Sequence, residues 1–431
     1  MRTNSKILTK QKRILTFVSV IALVIVSIMS GTGTVLAESE CLSNGYTPAN
    51  LAYVPTLPQN FVTATTDFSF NLFKKSINID KNSLVSPTSV AMALGMTANG
   101  ANGTTLDQFL MLLGQNKLSL KQINYFNFLM SNILKDSSGN CKFNLANSIW
   151  YRNNIASSIN RDFLQTNADF YKATIYKADF TQESTLTDIN NWVNYNTNGL
   201  IKQIIDKLNP DTIMYLINAL SFEADWEIQF SKEATLGNFK LNDGSYVNIP
   251  FLKSEDETYL EGDNATGFIK PYKGGKYSFV AMLPNYGTSL QDYINSLDAD
   301  KFKRFIDSRT IFNQTAKVGI PGFGYGYDVN LVQPLKDLGV VDAFSEDNAD
   351  FSKMVSDNKV FIGDVVHKTF IQFSEVGTKA GAVTVVQILP TATPPVKKEV
   401  YFNRPFVYAI VESGTNIPIF IGTVMNPTSA Y

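Results

Sequence analysis

The stretch from Gly377 to Val400, GTKAGAVTVVQILPTATPPVKKEV, restricts the chain more than any other because it is written for two states at once. Gly377, Thr378, Ala380, Gly381 and Ala382 are small residues of the kind found in exposed loops. Val383, Thr384, Val385, Val386 and Ile388 are β-branched and favour strands, where a branched carbon packs well on a pleated surface. The composition raises the question of why one segment should be written for both states.

The first 37 residues are set aside from the fold. Arg2, Lys6, Lys10, Lys12 and Arg13 form a basic region, Ile14 to Met29 an apolar one, and Val35-Leu36-Ala37 a small-residue cleavage site, the layout of a secretory signal peptide over residues 1–37. The apolar run is shorter than the roughly 20 residues that span a bilayer, so membrane contact is expected only through the signal peptide. The leader holds five basic and no acidic residues, so its removal moves the formal net charge from −1 to −6. A chain with that balance and no clustered basic face is not expected to bind nucleic acid or heparin. Export permits a disulfide between the two cysteines, Cys41 and Cys141, and two thiols is the alternative. One histidine and two cysteines leave no standard structural zinc site, and no cofactor is expected.

No proline-, serine- or glycine-rich linker interrupts Asn60 to Tyr431, which argues for one large domain over residues 60–431. A linker-like piece with Pro48, Pro55 and Pro58 precedes it over residues 38–59. Phe61, Phe68 and Leu72 stand at helical spacing, Pro87 opens a second helix through Val90, Leu94 and Thr97, and Ile189, Trp192 and Val193 mark another. Strand-like runs lie between them at Thr212 to Phe222, Tyr277 to Leu283 and Val360 to Phe373. A mixture without a regular strand-helix repeat is α+β.

Catalytic constellations are thin. There is no Gly-x-Ser-x-Gly elbow, and a serine triad would need His367, the only histidine, which sits in the apolar run VVHKTFIQF and reads as a hydrogen-bonded core residue. Asp179/Glu183 and Glu255/Glu257 are carboxylate pairs that glycoside chemistry could use, but they read more simply as solvated surface charges. The run GFGYGYD from Gly322 lacks the spacing of a phosphate loop and reads as strand bends. Asn102, Asn264 and Asn313 each begin a glycosylation sequon, a short pattern of low specificity.

Several long blocks, in order, resemble the serpin family from about Asn60 to Thr428. NSLVSPTSVAMALGMTANGANGTTLDQ resembles that family's second-helix signature, INNWVNYNTNGLIKQIIDKL its helix-F segment, and INALSFEADWEIQF the third strand of its main sheet. KVGIPGFGYGYDVNLVQPLKDLGVVDAF, DVVHKTFIQFSEVGTKAGA and NRPFVYAIVESGTNIPIFIGTVMNP supply the rest. The resemblance implies a serpin fold: three β-sheets, about eight to nine helices and an exposed reactive-centre loop. It places Ser86, Ser89, Asn218 and His367 in the shutter beneath the main sheet, Trp226 and Glu375 in the breach at its top, and Glu375, Gly377, Thr378, Ala380, Ala382 and Thr384 in the hinge of the loop.

It also implies a mechanism, in which the loop is exposed until a protease cuts it and then becomes a buried strand. Alternation puts Thr378, Ala380, Ala382 and Thr384 on one face of that strand, all small or uncharged, and the single charge, Lys379, on the other. The family's spacing, counted from Glu375, reaches Thr391 as the residue that enters the protease pocket, with Ala392 beyond the cut. The prolines of ILPTATPP agree with that placement, and Ile388, Leu389 and Pro390 become the upstream contacts. Inserting about fifteen residues at roughly 3.3 Å each would drag an attached protease on the order of 50 Å.

The implied function is a monomeric, secreted suicide-substrate inhibitor that forms a covalent acyl complex with a serine protease and has no catalytic residues of its own. Thr391 suits a small uncharged pocket, so the expected target is elastase-like or subtilisin-like, not trypsin-like; a papain-like cysteine protease is the alternative target. Rival readings are a non-inhibitory binding or chaperone module and, from a different class, a hydrolase. Three features depart from the family pattern. Val376 and Lys379 replace common hinge acids, Gly322 stands where many members carry a lysine able to pair with the hinge glutamate, and the arm from Ala392 to Tyr401 is longer than in compact relatives.

Overall fold

The structure, a computed structural model, describes residues 39–135, 140–209, 212–356, 360–378 and 398–428. In chain order the strands are β1 (Glu40–Cys41), β2 (Ser83–Val85), β3 (Cys141–Arg152), β4 (Thr174–Ala178), β5 (Met214–Asp225), β6 (Thr235–Lys240), β7 (Tyr246–Gly262), β8 (Ala265–Pro271), β9 (Tyr277–Pro284), β10 (Thr315–Pro321), β11 (Phe323–Asn330), β12 (Val366–Phe373), β13 (Gly377–Thr378), β14 (Lys398–Tyr401), β15 (Phe406–Glu412) and β16 (Pro418–Val424). The helices are α1 (Gln59–Ser76), α2 (Pro87–Ala98), α3 (Gly103–Gly114), α4 (Leu120–Ile133), α5 (Arg161–Tyr171), α6 (Glu183–Asn196), α7 (Leu290–Ser296), α8 (Ala299–Phe312) and α9 (Val332–Asp337). The class is α+β, as expected.

The helices follow from local chemistry. α1 buries Phe61, Phe68 and Leu72 on one face and ends with Lys74 and Lys75 in its last turn, where cations meet the negative end of the helix dipole. α2 starts where Ser86 accepts from the Ser89 N–H, and Pro87 takes the first position, whose missing N–H has no helical partner to lose. Almost all of α2 is buried, which makes it a core helix beneath a sheet. α4 opens with a reciprocal capping box between Ser119 and Gln122.

One sheet has the order β1-β4-β3-β5-β13-β12-β11, and the other β14-β10-β7-β8-β9-β15-β16-β2, with β6 on β7. The third sheet implied by the resemblance shares a strand with the second. β7 is 17 residues long, pairs with β6 and β10 through its earlier part and with β8 through its end, and so carries one ladder into the next. The strand expected from Val360 begins only at Val366. The glycine-rich GFGYGYD run is the regular strand β11, paired residue for residue with β12 and burying Phe323, Tyr325 and Tyr327, with no bend in its register.

Most of the apolar core lies between the sheets and among the helices on one side of the first sheet. A separate small cluster of Trp150, Ala178, Phe180, Ile189, Val193 and Ile217 packs α6 across β3 and β5 on the opposite face. From Ser39 on, the linker-like piece is tied down. β1 pairs with β4, Lys177 bridges Glu40 at 2.5 Å, the Arg161 guanidinium stacks on Tyr46 and donates to the Gly45 carbonyl, and Gln165 donates to the Thr47 carbonyl. Composition read these residues as a spacer, but their contacts are with residues more than a hundred positions away, which local pattern cannot register. No disulfide joins Cys41, which is exposed, to Cys141, which is buried.

Candidate functional site

β12 ends at Phe373 and the chain reverses over Ser374 to Gly377. The Ser374 N–H and hydroxyl both donate to the Gly377 carbonyl at 3.0 Å, and Phe373 then faces Thr378. β13 continues this hairpin on its other side, with Gly377 opposite Asp225 and Thr378 opposite Ala224 of β5. Glycine is required here by close approach, since a Cβ at 377 would lie 2.2 Å from the Ala224 carbonyl oxygen. Thr378 is 3% exposed, and its hydroxyl lies 2.6 Å from that of Tyr272. Below these two residues no ladder joins β5 to β12 among the described residues.

The segment after β5 grips the hairpin turn. The Trp226 N–H donates to the Val376 carbonyl at 2.9 Å, its indole N–H to the Ser374 carbonyl at 2.9 Å, and the Phe230 N–H to the Glu375 carbonyl at 3.0 Å. Three successive carbonyls of the turn are thereby satisfied. Trp226 is itself fixed by stacking on Tyr272 with 4.3 Å between ring centroids, and by edge contacts with Phe230, Phe279 and Phe373. Beneath it Lys270 is buried, paired with the buried carboxylate of Glu257, and sits 4.5 Å from the Phe230 ring. Desolvation pulls the Lys270 pKa down while Glu257 opposes it. The Glu375 side chain is exposed and forms no ion pair among the described residues; Gly322 and Lys232 border the same cleft of about 740 Å³.

The four expected shutter residues meet where β5 and β12 run without a common ladder. The Ser86 N–H donates to His367 Nε2 at 3.0 Å, and the Ser89 hydroxyl donates to Asn218 Oδ1. The start of α2 therefore ties down both strands, β12 through His367 and β5 through Asn218. Asn218 Nδ2 donates in turn to Asn147 Oδ1 of β3 at 2.7 Å, and Asn147 Nδ2 to the Tyr171 carbonyl at 2.7 Å. Burial pushes the His367 pKa down from 6.5 to about 4, so the ring is neutral and its Nε2 is an acceptor. That state is unsuited to a general base near neutral pH.

The structure thus brings Ser86, Ser89, Asn218 and His367 into one network and Trp226, Glu375, Gly377 and Thr378 into another. Ala380, Ala382, Thr384, Ile388, Leu389, Pro390, Thr391 and Ala392 lie outside the described residues. Of the carboxylate pairs, Glu257 is buried against Lys270 and Ser254, and Asp179 is held below the usual carboxylate range by the Thr181 hydroxyl and N–H. Sequence reasoning missed Asn147 and Tyr272. An asparagine inside the strand-like run NLANSIWY was a usable signal for the first; nothing local marks the second.

A family model described as "Serpin (serine protease inhibitor)" matches residues 63–427. Human neuroserpin is 29% identical over 395 residues, covering 88% of this chain and 94% of that protein. A solved structure of a thermophilic serpin, tengpin, in the native state is 41% identical with a TM-score of 0.82, covering 90% of this chain and all of the other. A thyroxine-binding globulin in complex with thyroxine, 24% identical with a TM-score of 0.73 over 85% of this chain and 99% of that one, shares the fold.

Proposed function

The chain belongs to the serpin family, and on that footing we propose that it inhibits a serine protease by inserting its cleaved loop into the gap between β5 and β12. The observation that carries this reading is the hairpin at Ser374–Thr378. Two residues of the incoming strand are already seated between both edges, with the turn closed behind them. A strand that extends an existing hairpin adds one pair at a time and pays no new loop-closure entropy.

The observed register supports the loop as the missing strand. Continued from Thr378, it sets Ala380 opposite Phe222 and Ile371, Ala382 opposite Leu220 and Thr369, and Thr384 opposite Asn218 and His367. The 12 residues of β5 match residues 377–388, ending three short of Thr391. Thr378 faces the core, so alternation turns Ala380, Ala382 and Thr384 the same way. The hydroxyl of Thr384 then arrives between the two side chains that α2 holds in the intact molecule. Once the edges part by a strand's width, α2 can follow only one of them, and Thr384 supplies a partner in its place.

In this reading Thr391 and Ala392 flank the cut, Ile388, Leu389 and Pro390 contact the protease, and the chain is exported after loss of residues 1–37 and works as a monomer without metal or cofactor. The test is to mix the mature protein with subtilisin, an elastase and trypsin and look for a complex that survives denaturing gel electrophoresis. The expected result is a covalent adduct with subtilisin or elastase and cleavage after Thr391. Rapid adduct formation with trypsin overturns the choice of target, and no adduct with any serine or cysteine protease favours a binding role of the kind thyroxine-binding globulin has.

A further inference from the structure

Two charges are buried where the interior of the second sheet would ordinarily hold hydrocarbon. Lys270 of β8 is 1% exposed, and Glu257 of β7, one step beyond the Thr258–Ile269 pair of their common ladder, is 6% exposed. The Lys270 ammonium donates to Glu257 Oε1, and the same oxygen accepts from the buried Ser254 hydroxyl. Among the described residues the ammonium has no second acceptor. What else surrounds it is aromatic, with 4.5 Å to the Phe230 ring centroid and 5.9 Å to that of Trp226.

Such a pair is a poor stabiliser. Desolvating two charges costs about what their attraction returns, and apolar residues of similar volume often serve as well or better. What a cation adds is direction, because it is drawn to the negative face of an aromatic ring and not to its edge. Trp226 and Phe230 stand nearly perpendicular, at 83° with 5.8 Å between centroids, and the one ammonium lies over both. These rings belong to the segment that grips the hairpin turn at Ser374 to Val376. The same segment is fastened to the second sheet by the Glu227 N–H, which donates to the Pro271 carbonyl at 3.1 Å, and by the Ser231 N–H, which donates to the Lys253 carbonyl at 2.7 Å. It therefore lies between the turn on one side and the ammonium on the other.

We propose that Lys270, held by Glu257, is a positioning residue that fixes the planes of Trp226 and Phe230 against the turn and so sets the share of cleaved molecules that trap the protease. The inference rests on the insertion reading above. After the cut, insertion competes with water, which hydrolyses the ester between the protease serine and the Thr391 carbonyl, frees the serine hydroxyl and leaves Thr391 as a carboxylate. Every added strand pair builds on Gly377 and Thr378, so a turn that frays behind them slows the first additions. More molecules are then spent as substrate.

The experiment compares wild type with two variants. Lys270→Met/Glu257→Gln removes both charges at similar volume, and Phe230→Leu removes one ring face and leaves the pair, so it decides the matter if the double variant does not fold. Each is titrated against subtilisin or elastase, whichever gives the wild-type adduct, for moles of inhibitor consumed per mole of protease and for the rate of loop cleavage. Amide exchange at Trp226 and Phe230 and the ¹⁵N-indole resonances of the three tryptophans are read in parallel.

Both variants are expected to consume at least about threefold more inhibitor per protease, with the rate of loop cleavage unchanged. Exchange at the two amides is expected to rise at least about tenfold. The Trp226 indole resonance should shift while those of Trp150 and Trp192 stay, a change that a merely structural pair would not confine to one ring. A wild-type adduct with unchanged consumption in the folded variants overturns the proposal and leaves the insertion reading standing. A wild type that gives no adduct, and no gain in melting temperature when nicked, overturns both.

Discussion

Thr378 and Thr384 are where single side chains decide the outcome. Thr378 is buried against Tyr272, so Thr378→Arg would bring an unpaired cation into the start of the strand, a desolvation penalty of several kcal/mol. The expected result is a folded protein that the protease cuts and releases, read as loss of the gel-stable adduct with cleavage retained. Thr384→Arg should do the same further along, since the proposed continuation of the register from Thr378 would set it between Asn218 and His367. An adduct at wild-type yield from either variant contradicts the register. His367 sets a pH dependence. Its folded-state pKa, near 4, is below the unfolded value of 6.5, so the unfolded chain binds the proton first and stability falls as pH drops from 6.5 towards 4. The loss is on the order of 3 kcal/mol. Denaturant midpoints for wild type and His367→Gln across that range should converge on acidification; parallel curves contradict the neutral buried assignment.

At the scale of elements, the first turn of α2 is the fastening between two sheet edges. Ser89→Ala leaves Asn218 short of a donor in a half-buried site, worth about 1–3 kcal/mol, and should lower the melting temperature of the intact protein by a few degrees. An unchanged melting curve would mean that the staple carries no weight. α1, α2 and α6 were legible because their apolar spacing and the Pro87 start are local signals. What stayed hidden was non-local. Nothing around Gly377 says that two residues are already paired, because that depends on Asp225 and Ala224 from far along the chain. The strap of residues 39–49 reads as a spacer because its partners, Tyr176, Lys177, Arg161, Gln165 and Asp169, belong to other elements. The sharing of β7 by two sheets was equally invisible, since a long strand and two short ones have the same alternation.

For the whole molecule, the insertion reading requires a chain held short of its most stable arrangement. Among the described residues the first sheet has no ladder between β5 and β12 beyond Thr378, a polar staple joins them from beneath, a hairpin stands at the top and, in sequence, there follows a segment of matching length and side-chain size. Filling the gap would add on the order of ten ladder hydrogen bonds, each worth about 1 kcal/mol net, and would bury a row of β-branched side chains. At about 2 °C per kcal/mol for a domain of this size, that corresponds to a gain of roughly 20 °C. On the insertion reading the staple of α2 is a kinetic restraint, and a protease would supply the cut that releases it. The most direct measurement is the thermal unfolding of the mature protein, intact and nicked within the loop by a catalytic trace of protease. A nicked form that melts roughly 20 °C above the intact one is the result expected. Coincident melting curves, with the cut confirmed by mass, would contradict the claim that insertion is downhill.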